Sequence, residues 1–280
     1  MSQIRVVTDS TAEIPAYLVA KLGITVVPME LCLEDHTWRD SVDMTSAEFL
    51  ERVTASASLP TMIPPSVEAF EQVYAELSAE TDEIISIHVS SKLSPTVQNA
   101  REAAGRFLGR SRISILDSEL ISGGLGLLVV AAAEAAANGS NMQQIVRLLR
   151  GMIPHIYVVF FIESLEYLER SQRIDRSQAI LGNLLNIKPM LIIEDGELMP
   201  LEKVRTRDKA VERLHQFISE FAEFDKITIS HGLNGQESPD LLERIAETFP
   251  DREVSITTYG PSMTAQLGPK AIGVIVCEGR

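Results

Sequence analysis

Apolar and polar positions follow a repeated order through the first half of the chain: a short apolar run, a polar turn, a stretch with apolar residues three and four apart, then a breaker. Residues 4–7 predict a strand, with Thr8-Asp9-Ser10-Thr11 at its carboxyl end. Residues 12–22 predict a helix closed by Gly23, and residues 24–31 the next strand. Further helices are predicted over 46–53, capped by Thr45 or Ser46, and over 66–78, entered through Pro64-Pro65. A strand over 83–89, a helix over 95–107, a strand over 113–116 and a helix over 124–137, stopped by Asn138-Gly139, complete this part. Strands alternating with helices in this way signal an α/β layer with a mainly parallel sheet.

Beyond Gly151 the rhythm changes. Strands are predicted over 156–161, 226–230, 254–258 and 271–277, and helices over 164–170, 178–186, 208–221 and 238–249. Residues 188–193 and 196–200 predict a hairpin around Asp195-Gly196. At about 150 residues per domain, 280 residues suit two. The expectation is two α/β domains, 1–150 with a Rossmann-like, mainly parallel sheet and 151–280 with a mixed or antiparallel sheet and helices.

Composition sharpens this picture. Hydrophobic residues are 45% of the chain but aromatics only 5%, so aliphatic side chains do most of the burying. The net charge of −14 disfavours binding of nucleic acid or an anionic membrane through the overall field. Cys32 and Cys277 are too few for a disulfide framework and suit a reducing compartment. The most apolar uncharged run, 120–133, is shorter than the ~20 residues of a membrane helix, and the N-terminal segment has no apolar signal core. A cytoplasmic protein without a membrane span is expected, with transient membrane contact left open.

Walker, His-Glu-x-x-His, Cys-x-x-Cys and Gly-x-Ser-x-Gly motifs are absent. Gly123-Gly124-Leu125-Gly126 lacks the third glycine of a dinucleotide fingerprint and reads as close helix packing. No two histidines have ligand spacing on one helix, so neither a metal nor a cofactor is expected. Hydroxyl clusters after strands do stand out: Thr8-Asp9-Ser10-Thr11 and Ser90-Ser91-Lys92-Leu93-Ser94-Pro95-Thr96. In open α/β sheets ligands sit beyond the carboxyl ends of strands. Ser94 fits a helix N-cap and Pro95 the first helical position, so the free N–H groups there offer an anion site. Caps and turns without a ligand explain the same residues.

Taken together these segments resemble the DegV family of bacterial fatty-acid-binding proteins. The resemblance rests on Val7-Thr8-Asp9-Ser10-Thr11-Ala12-Glu13-Ile14-Pro15, on Thr61-x-x-Pro64, and on Ser90-Ser91-Lys92-Leu93-Ser94-x-Thr96-x-Gln98. It continues through Asp117-Ser118, Ser122, Leu165-Glu166-Tyr167-Leu168, Arg173-Ile174, Leu184-Leu185-Asn186-Ile187-Lys188-Pro189 and Leu267-Gly268-Pro269. It implies a long-chain, palmitate-like fatty acid held in a tunnel between the domains. The carboxylate is then held by Thr61 and Ser94, with Ser91 and Gln266 beside them and Asp9, Ser10, Thr96 and Ser122 in support. It also implies a non-catalytic carrier, in lipid transport and phospholipid synthesis, that presents the acid to a partner kinase for acyl phosphate formation. Arg173 and Arg205 fall on the surface facing that partner.

This chain departs from the family pattern in Met62-Ile63 of the threonine loop, in Pro95, in Ser171-Gln172, and in Gln266 where the family often has His. Gln donates a hydrogen bond but cannot shuttle a proton, so acid binding is expected and kinase-coupled transfer is expected to be poor. The alternative is an enzyme that transfers or hydrolyses a group on a small anion at the same hydroxyls. Lys203, Arg205, Arg207, Lys209 and Arg213 form either a docking surface or a solvated face balanced by Glu202, Asp208 and Glu212.

Overall fold

Four short strands rich in Val and Ile form the first sheet. β1 (Arg5–Asp9), β2 (Thr25–Val27), β6 (Glu83–His88) and β7 (Arg112–Asp117) lie in the order β2-β1-β6-β7, with every pairing parallel. The computed structural model describes residues 4–170, 188–232, 239–252 and 254–279. The strand predicted over 24–31 is split at Pro28. Its second half is β3 (Glu30–Leu33), which joins β4 (His36–Arg39) and β5 (Thr61–Ile63) in a separate antiparallel sheet, β4-β3-β5. Proline has no N–H to give a ladder, so the break falls there. β4 and β5 have three or four residues each, mostly exposed, and leave little alternation to detect.

The second sheet has β8 (Ile156–Phe161), β9 (Lys188–Glu194), β10 (Glu197–Val204), β11 (Phe224–His231), β12 (Val254–Thr258) and β13 (Ile272–Glu278), in the order β10-β9-β8-β13-β11-β12. Only β11 and β12 pair in parallel, so the sheet is mixed, as expected. Asp195 and Gly196, with φ of 49° and 78°, make the two-residue turn of the β9–β10 hairpin. Both faces of the sheet are covered. Along β8, Val158 and Phe160 enter one core while Val159 and Phe161 enter another, the two-residue period of a strand buried on both sides. The helices Arg207–Ser219 and Pro239–Thr248 cover the outer face.

The inner face meets the helix Gly123–Ala137, which lies between the two sheets. Its buried residues, including Leu125, Leu128, Val129, Ala132 and Ala133, cover a broad face, while Glu134 and Ala137 on the other side are exposed. One continuous core joins Val6 and Ile85 of the first sheet, Leu125 and Leu128 of the helix, and Val158 and Ile275 of the second sheet. The glycines permit this approach. A Cβ on Gly124 would stand 2.6 Å from Val158 Cγ2, and one on Gly126 would stand 2.4 Å from the Ala12 carbonyl oxygen.

Other boundaries shift. The helix predicted over 12–22 is a 3-10 turn, Ser10–Ala12, followed by a helix over Ala16–Leu22. Glu13 between them takes a left-handed φ of 51°. A helix over Met142–Met152, not anticipated, is capped by Asn141 and Gln144 and contains Gly151, the residue at the expected domain boundary. The helix expected over 178–186 lies outside the described residues. Among the described residues no helix is long and apolar enough to cross a membrane.

Because the atom facing Gly126 is backbone, Gly126→Ala is expected to lower stability by about 1–3 kcal/mol. Gly105→Ala, with no atom within 4 Å of the added carbon, is expected to be neutral or stabilising. Urea unfolding of the two variants checks this; equal midpoints would contradict the close packing.

Candidate ligand site between the two sheets

After β6 the chain turns through residues 89–95 in a tight set of backbone bonds. Ser90 N–H donates to Leu120 O at 2.9 Å, and Ser94 N–H donates to Ser90 O at 3.0 Å. The following helix begins at Thr96, so Pro95 occupies the cap and Ser94 lies one residue before it, a one-position shift from the sequence expectation. Proline lacks an N–H, so it is tolerated on either side of that boundary. Ser94 Oγ is 2.7 Å from Thr96 Oγ1 and accepts the Thr96 N–H at 3.4 Å. Both side chains are buried.

Leu93, beside them, lines an enclosed cleft with Ile121, Phe160, Ile193, Met263 and Gln266. Its volume is about 10 Å³, room for roughly one water. Gln266 is the one polar side chain in that lining among the described residues. It belongs to the helix Pro261–Leu267, whose residues are all buried. Gln266 Nε2 donates to Met62 Sδ at 3.2 Å. Two departures from the family pattern therefore face each other. Along β5 the exposed residues are Thr61 and Ile63, and Met62 is the half-buried one. The structure thus brings Ser94, Thr96 and Gln266 to the interior, with Thr61 on the outer side of the adjoining strand.

The other expected residues serve different partners. Ser91 is exposed, and its N–H donates to Asp117 Oδ1 at 3.2 Å. Asp9 accepts the N–H and hydroxyl of Thr11 on one oxygen. Its other oxygen accepts Val89 N–H at 3.0 Å and lies 3.0 Å from His88 Nδ1. His88 Nε2 is 2.7 Å from Ser86 Oγ, to which Tyr74 donates at 2.8 Å. Asp9, His88 and Ser86 follow the order of a catalytic triad, but all three are fully buried. The array clamps β1 to β6, and Ser86 has no path to a substrate. Ser10 Oγ accepts the Met29 N–H at 3.0 Å.

Ser122, with φ of 57°, donates to one carboxylate oxygen of Glu13, and Gly260 N–H donates to the other at 2.8 Å. Glu13 retains some surface exposure, but its carboxylate is enclosed by these partners. Burial pushes its pKa from 4.5 up to about 8, against the lowering effect of the two hydrogen bonds and with some help from the charge of Asp40. Asp40 is itself raised by burial while accepting from the Ser262 and Ser41 hydroxyls. Tyr259, fully buried near Glu13, has a hydroxyl without a hydrogen-bond partner among the described residues. The sequence signal for Glu13 was its place in the first family segment, and that for Met62 its departure from the threonine-loop pattern; nothing local marked Asp40.

Arg205 is exposed in the turn between β10 and the helix Arg207–Ser219, and makes no ion pair among the described residues. Its basic neighbours are largely neutralised: Arg213 pairs with Glu202 at 3.0 Å, Lys209 with Glu212 at 2.7 Å, and Arg207 with Glu163 at 3.2 Å. Arg173 lies outside the described residues.

A carboxyl group whose pKa is raised on folding stabilises most below its unfolded pKa, and that contribution is lost as pH rises through the folded value. Glu13 should therefore weaken folding progressively between pH 4.5 and about 8. Glu13→Gln keeps a neutral side chain of the same shape. It is expected to match the parent near pH 5 and exceed it in urea midpoint at pH 9; parallel pH profiles would contradict this.

Comparison with known proteins agrees with this architecture. Residues 3–279 match the family described as uncharacterised protein, DegV family. A DegV domain-containing protein of Deinococcus radiodurans is 32% identical, covering 97% of each chain. Protein DegV of Bacillus subtilis is 30% identical, covering 98% of this chain and 99% of its own. Among solved structures, a DegV family protein of Thermus thermophilus, described by its fatty acid binding, superposes with a TM-score of 0.88 at 32% identity over 99% of this chain and 100% of that one. DegV of Bacillus subtilis, described as a fatty acid binding protein, gives 0.89 at 29% identity over the whole of both chains. With the family matched over residues 3–279 and the fold superposing end to end, the chain belongs to the DegV family.

Proposed function

We propose that the protein binds one long-chain fatty acid between its two sheets and acts as a carrier. The carrying observation is the enclosed apolar cleft lined by Gln266 and by Leu93, the residue before the buried Ser94–Thr96 hydroxyl pair. A carboxylate only accepts hydrogen bonds, and hydroxyls, an amide and helix N–H groups supply donors without a buried cation. The tail contributes roughly 0.8 kcal/mol for each buried CH₂. The Thermus thermophilus and Bacillus subtilis relatives, described as binding fatty acids, support the same ligand class.

The cleft is narrower than the ~300–1,000 Å³ of ordinary ligand pockets, so the acid enters by parting the aliphatic walls. Ser94 and Gln266 hold the carboxylate, and Thr61 contributes from the rim. The enzymatic alternative has weaker support, because His88 is committed to Asp9 and Ser86. Presentation to a partner kinase remains the role in which the acid would be used, with exposed Arg205 on the docking face. The Gln266 amide cannot relay a proton there, so Gln266→His is expected to raise acyl phosphate production with a cognate kinase.

Palmitate titration by calorimetry tests the site. Ser94→Ala and Gln266→Ala are each expected to lose about 1.5–3 kcal/mol of binding, and Thr61→Ala less. Unaltered affinity in the first two would place the carboxylate elsewhere.

A further inference from the structure

Two clefts meet at Ile193, near the end of β9. The first is the enclosed one lined by Leu93 and Gln266. The second is open, about 800 Å³, and runs between β7 and the β9–β10 hairpin. Its apolar walls include Leu116, Leu120, Ile153, Ile156 and Leu201, and Ile193 belongs to both clefts. Leu120 lines the open cleft and its neighbour Ile121 the enclosed one, so the partition between them is about one side chain thick.

We propose that the open cleft is the far mouth of the acyl site and receives the distal end of long chains that pass Ile193. This rests on the fatty-acid reading above and extends it to chain length. The open volume lies within the ~300–1,000 Å³ range of ligand pockets, and its apolar walls suit methylenes. Its charge sets the direction of the chain. Asp117, Glu119, Glu194 and Asp195 outnumber Arg101 and Arg150 around it, so a carboxylate is disfavoured there and the head stays beside Ser94. The hairpin bearing Ile193 is also tied to the turn bearing Ser94. Ser90 Oγ donates to Gly196 O at 2.6 Å, and Lys92 pairs with Glu197 at 3.3 Å. Displacing Ile193 and seating the head group therefore act on one connected unit.

Spin-labelled stearic acids with the nitroxide near the head (5-doxyl) or near the tail (16-doxyl) test this on the unmodified protein. The tail label is expected to be relaxed by an aqueous nickel chelate and the head label shielded. In parallel, Leu201→Glu, at an exposed position of the open cleft, is expected to lower affinity for a C20 acid relative to a C14 acid by about tenfold. If both labels bind shielded and the C20-to-C14 ratio is unmoved, the far mouth is overturned while acid binding stands. If neither labelled nor unlabelled acid binds, the fatty-acid reading falls and this proposal with it.

Discussion

The helix Gly123–Ala137, pressed between a parallel and a mixed sheet, is the constraint on which the rest of the molecule depends. A helix whose buried face is this broad needs cover from more than one side, and both sheets close on it. Gly124 and Gly126 let it approach Val158 on one side and the Ala12 carbonyl on the other without a side chain between. The result is one core shared by the inner faces of both sheets, with separate cores on their outer faces. At the first turn the apolar packing gives way to a polar knot. Ser122 meets Glu13, and Glu13 meets Gly260 at the start of the helix that carries Gln266. The packing of the central helix and the position of the candidate head-group donor are thus mechanically linked.

The proposed ligand is an anion, and the protein that would hold it is acidic. Residues 1–150 hold 11 basic and 19 acidic side chains, and residues 151–280 hold 14 and 20, so neither half attracts a carboxylate by its net charge. On the proposed reading, capture comes from burial of the tail and from oriented hydroxyl, amide and backbone dipoles at one end. The low aromatic content follows the same logic, since Leu, Ile, Val and Met walls repack around a flexible chain more readily than stacked rings.

Much of this was legible in the sequence because it depends on local order. Strand–helix alternation exposed the first sheet, the Asp195-Gly196 turn exposed the hairpin, and the clustered glycines of 123–126 exposed a close approach. What escaped depended on distant partners. The three or four mostly exposed residues of β4 and β5 carry no period of their own, and they form because β3 pairs with both. The helix Pro261–Leu267, with Pro at its start and Gly at its end, is only seven residues long and wholly buried, so it shows no amphipathic face. Asp9, Ser10 and Ser122 have the residue types of a ligand site, yet each hydroxyl or carboxylate is taken up by a fold contact that composition does not reveal. The Met62–Gln266 contact joins residues 204 apart and is invisible to any local reading.

The central claim is that one fatty acid lies between the two sheets with its head beside Ser94. A crystal structure of the protein grown with palmitate tests it most directly. The account predicts a single acyl chain running from Leu93 towards Ile193, its carboxylate within hydrogen-bond reach of Ser94 Oγ and Gln266 Nε2. A carboxylate resting in the cleft near Arg101 and Arg150, or no acyl chain between the sheets, would contradict it.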